Sequence, residues 1–136
     1  MTITNLQQLY AKLPQAGALV KSVEDETIRR LFLQGLVASS APMFFSSIAG
    51  RLRRTIVFIL NDADEAGYFY NDLRQLLGDG AVLFLPSSYR RAVKYGHRDA
   101  ANEILRTDVL SKLTRLAAKS EKGDNNAALF VVTFPA

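Results

Sequence analysis

Residues 55–60 read TIVFIL, a run that is apolar or β-branched at odd and even positions alike. Successive side chains of a strand point to opposite faces, so such a run has to be covered from both sides. That requirement predicts a central strand of a parallel sheet, with helices against each face. AVLFLP (81–86), stopped by its proline, and ALFVVTF (128–134) have the same character. Leu31–Val37 is a further apolar run and reads as a buried strand, although so short a stretch also fits a helix segment.

Helical patterns fill the intervals. Leu6, Tyr10 and Leu13 recur at helical spacing, with Pro14 and Gly17 ending that helix. Ser22 with Asp25 resembles a capping box and predicts helical structure through Glu24–Arg30. Pro42 suits the first turn of a helix that continues through Met43–Leu52, with Gly50 loosening its end. Asn61 or Asp62 caps the next helix, with Glu65 at the third position of an Asp62 cap. Its apolar face is Ala66, Phe69, Tyr70, Leu73 and Leu76–Leu77, and Gly78 closes it. A last helix is expected from about Arg98 to Lys119. The alternation predicts an α/β fold with an open, mainly parallel sheet of about four strands and flanking helices. Residues 1–27 read as a helical lead-in and residues 28–136 as the α/β domain. The sequence stops two residues after its last strand pattern. Parallel sheets usually cover such a strand with a helix, so a piece of a longer chain is expected.

Composition narrows the setting. The 136 residues suffice for one domain that buries roughly 70% of its unfolded surface. Hydrophobic residues at 49% and charged residues at 22% give an ordinary globular balance. A net charge of +4 permits a polyanionic partner without demanding one. The absence of cysteine excludes disulfides and thiolate metal sites and fits a reducing compartment. MTITNLQQLYAKLPQ lacks the charged start and apolar run of a signal peptide, and no stretch nears the roughly 20 apolar residues of a membrane span. A cytoplasmic protein without membrane contact is expected.

Residues 34–49, QGLVASSAPMFFSSIA, have the strand–turn–helix outline of a phosphate-binding loop. A working loop reads G-x-x-x-x-G-K-[ST]: glycine N–H groups wrap the phosphates, the lysine neutralises them and the hydroxyl binds Mg²⁺. Laid on Gly35, that frame puts Ser40 at the second glycine, Ala41 at the lysine and Pro42 at the hydroxyl. Cation and metal ligand are missing together. The plain alternative is a strand-to-helix turn with Ser39 or Ser40 as the helix cap.

In order and spacing, GLVASSAPMFFSSIA, TIVFILNDADEAGYFYNDLRQLLGDGAVLFLPS and ALFVVTFPA resemble the N-terminal region of the bacterial transcription-repair coupling factors (Mfd). That region is itself similar to the first domain of UvrB, the helicase-like subunit of nucleotide excision repair. The resemblance runs from about Ile28 to Ala136. It implies a P-loop helicase-like fold whose phosphate loop is degenerate. Gly35 matches the family's first loop glycine, whereas Ala38, Ser40, Ala41 and Pro42 depart from the active helicase's Gly, Gly, Lys and Thr. It further implies no cofactor and no catalysis for this chain, with an ATP-driven DNA translocase in a separate C-terminal module. The implied partners of the full-length protein are UvrA, RNA polymerase and DNA. The family's recruiting surface lies mostly on a second domain, so no partner-contacting residue carries over. The active helicase's tyrosine-rich DNA-clamping hairpin has its counterpart place at PSSYRRAVKYGHRDAA, with only Tyr89 and Tyr95; damage clamping is not expected. In such helicases a later strand lies between the first and second. Without it, Leu31–Val37 would lack its neighbour, and self-association, a swapped segment or a rearranged first strand is expected.

The remaining candidates carry structural alternatives. Arg90, Arg91, Lys94 and Arg98 form an acid-free basic stretch that could touch a polyanion, or be a solvated crossover. His97 has no second histidine or cysteine beside it. Asp62, Asp64 and Glu65 read as helix-start acids rather than a general acid/base pair, and Arg51, Arg53 and Arg54 as helix-end cations. Ser39, Ser40, Ser46 and Ser47 lack a base for nucleophilic chemistry. Two other functional readings remain: a small nucleotide-binding phosphotransferase or hydrolase with an atypical loop, and a basic single-strand nucleic-acid module resting on Arg90–Arg98 alone.

Overall fold

A computed structural model describes residues 1–87, 100–121 and 129–135 of the chain. Its first helix, α1 (Ile3–Ala11), starts where Thr2 Oγ1 accepts the Asn5 N–H at 3.2 Å. Pro14 opens a second helix, α2 (Pro14–Glu24), besides following the first. Its fixed φ suits a first helical position, where no N–H is needed. Gly17 lies inside α2 and does not end a helix. Ser22 donates to the Ala18 carbonyl at 2.8 Å and Asp25 caps the C-terminus of α2, so the expected helix start at these residues is instead a helix end. Ala16 and Leu19 of α2 belong to the same buried cluster as the strands.

Then α3 (Ser40–Ile48) runs into a single 3₁₀ turn at Ala49–Arg51, where Gly50 was expected to loosen the helix. The strand β1 (Ile56–Ile59) leads to α4 (Ala63–Leu77), β2 (Val82–Leu85) follows, then α5 (Ala100–Glu121) and β3 (Phe130–Thr133). The fold is α/β, and the described residues form an open parallel sheet of three strands in the order β1-β3-β2. Ile56 aligns with Phe130 and Val82 aligns with the same residue from the other side.

Two expectations for the sheet are also corrected. TIVFIL is an edge strand, because β3 takes the centre: Phe130, Val131 and Val132 are buried, whereas Val57 and Ile59 are 54% and 72% exposed. Apolar residues at both parities show that both faces of β1 are apolar. They do not provide a cover for each. Leu31–Val37 forms no strand, so among the described residues the sheet has three strands rather than about four. The physical reason lies in its own turn. Gly35 (φ 89) and Ala38 (φ 49) leave extended geometry. Ser40 Oγ then takes the Val37 N–H at 2.6 Å, while the Ser40 N–H donates to the Val37 carbonyl at 3.0 Å.

The main core lies on the sheet face against α1–α4. Phe58 of β1 meets Phe45, Phe69 and Phe130 at ring separations of 4.9, 4.9 and 5.3 Å, which is where offset and edge contacts are favourable. The opposite face is covered by α5, which packs on β2 and buries Val109 with Leu83, Leu129 and Val131. α5 does not extend this cover to Val57 and Ile59.

Candidate functional site

In open α/β sheets the carboxyl ends of the strands, where helices begin, are where ligands usually sit. This chain has a cleft of about 450 Å³ there. One wall is the turn into α3, with Ala38, Ser39, Ala41 and Pro42; the other is α4, with Glu65, Tyr68, Phe69 and Asp72; Leu60 after β1 forms part of the lining.

The α4 wall is set by local chemistry. Asp62 Oδ1 accepts the Glu65 N–H at 2.8 Å, capping the helix as the sequence predicts. Glu65 Oε2 reaches back to the Asn61 N–H at 3.0 Å and to Asn61 Nδ2 at 2.7 Å. Glu65 is thereby held by a reciprocal cap rather than left free as an acid or base. Gly78 closes the helix at φ 89.

The α3 wall is a self-contained turn. Ser39 and Ser40 flank the helix start, yet neither makes the expected cap bond to a helical N–H. Ser39 Oγ donates to Asp72 Oδ2 at 2.9 Å across the cleft, and Ser40 Oγ bonds Val37. The donors that a phosphate loop would aim outward are used inward: Val37 N–H by Ser40 Oγ, Ser40 N–H by the Val37 carbonyl, Met43 N–H by the Ser39 carbonyl. Pro42 has none to offer.

The five residues compared with a phosphate loop from the sequence are divided between two places. Ala38, Ala41 and Pro42 line the cleft, while Gly35 and Ser40 line a neighbouring groove of about 400 Å³ with Tyr10, Leu13, Phe32 and Phe44. Among the described residues the cleft has carboxylates, Glu65 and Asp72, and no lining cation. That electrostatic balance disfavours a polyphosphate. Tyr68 and Asp72 were not singled out from the sequence. The signal was available: with Glu65 they recur at intervals of three and four, which is one helix face.

Four of the other candidates make contacts within the fold. Arg51 Nη1 donates to the Ala11 carbonyl at 3.3 Å, meeting a carbonyl at the end of α1. Arg54 and Glu26 form an exposed ion pair at 3.7 Å. Ser46 Oγ donates to the Met43 carbonyl at 2.9 Å and accepts from Gln7 Nε2 at 3.1 Å; Ser47 Oγ donates to the Phe44 carbonyl at 2.6 Å. Arg90, Arg91, Lys94, Arg98 and His97 lie outside the described residues. Among the described residues, no group of three or more acids, histidines or cysteines is placed to hold a metal ion, and no helix is long and apolar enough to cross a membrane.

Compared with known protein families, curated proteins and solved structures, the chain matches none of them.

Proposed function

We propose that this chain is a non-catalytic docking domain, part of the UvrB-homology module of a transcription-repair coupling factor. In the longer protein it supports recruitment of the excision repair machinery, through UvrA, to RNA polymerase stalled at DNA damage. One observation carries the non-catalytic part: the cleft at the phosphate-binding position is lined by Glu65 and Asp72, with Ala41 and Pro42 where a cation and a metal ligand would stand. The docking part rests on the sequence resemblance from about Ile28 to Ala136. DNA contact and ATP-driven translocation belong, in this reading, to other modules of the full-length protein.

Calorimetric titration with ATP·Mg²⁺ tests the first part. No binding tighter than about millimolar, roughly −4 kcal/mol, is expected. A micromolar isotherm would overturn it in favour of a nucleotide-binding phosphotransferase or hydrolase. The second part is tested by the reading frame beyond Ala136, which is expected to encode a further domain and a later DExx-type helicase motif. A stop codon directly after Ala136 would refute it.

A further inference from the structure

We draw no further inference here: the strongest candidate, the open edge and apolar face of β1 where Val57 and Ile59 are exposed among the described residues, carries nothing because nothing in the structure shows what covers it.

Discussion

Two turns lead into helices on opposite walls of the same cleft, and they are built differently. Residues 60–65 lead into α4 through Asp62 bonding Glu65 and Glu65 bonding Asn61, all within five positions. Residues 35–40 lead into α3 through two left-handed residues and a serine that bonds backward to Val37. The first turn contains its own instructions. The second is shaped by a glycine and a strained alanine, and its preceding apolar run is left without a sheet neighbour. A strand–turn–helix outline in sequence therefore fixes a helix start only where the capping groups are present. It does not fix the strand before it.

The sharpest test sets anchored against unanchored hydrophobics on the two sides. Leu73 of α4 is fully buried, so Leu73→Ala is expected to remove about 3 kcal/mol of unfolding stability. Phe32, 87% exposed, should lose no more than about 0.5 kcal/mol on change to Ala when measured dilute by urea denaturation. Comparable losses at both positions would mean that residues 31–37 are held as firmly as α4. Next come the caps. Asp62→Ala should lower stability by about 1 kcal/mol. Ser39→Ala, which removes only the exposed bond to Asp72, is expected to stay within about 0.5 kcal/mol.

The same contrast marks how much was legible in the sequence. The cap at Asp62, the stop at Gly78 and the α/β alternation were readable because each is decided by neighbouring residues. TIVFIL was correctly a strand and wrongly central. Parity reports what a strand could bury, but strand order is decided by which segment arrives beside it, and β3 arrives from more than 70 positions away. Ser22 and Asp25 fit the start of a helix by spacing. They end one instead, because α2, begun by Pro14, already passes through Ser22. In the site, it was plain that Ala41 and Pro42 offer neither a cation nor a hydroxyl. The Ser39–Asp72 bond was not, since it joins residues 33 apart.

A smaller effect is expected at the strained residue itself. Ala38 holds φ 49, a left-handed conformation that disfavours a Cβ. Ala38→Gly relieves it at some expense in unfolded-chain entropy, for a net gain of about 0.5 kcal/mol by thermal denaturation. A loss there would show that the turn into α3 is relaxed, and would narrow its difference from the turn into α4.

The smallest effect concerns the head of the irregular segment. Asp25 caps α2, and its Oδ1 accepts from Thr27 Oγ1 at 2.6 Å and from the Thr27 N–H at 2.9 Å. The Thr27 hydroxyl, with its backbone N–H second, holds the Asp25 carboxyl below its ordinary value. A carboxylate depressed in the folded state adds stability above its unfolded pKa, about 3.9, and loses it as pH falls through the lower folded value. Thr27→Val removes the larger cause and keeps the backbone bond. The Asp25 carboxyl of the variant should therefore titrate closer to the ordinary value in an NMR pH series. Above about pH 4 the wild type should be slightly the more stable, and the gap should close at lower pH. Asp25 is fully exposed, so water weakens the effect. An unchanged titration would mean that the Asp25–Thr27 turn is not formed in solution, and that the irregular stretch before α3 begins at the end of α2 itself.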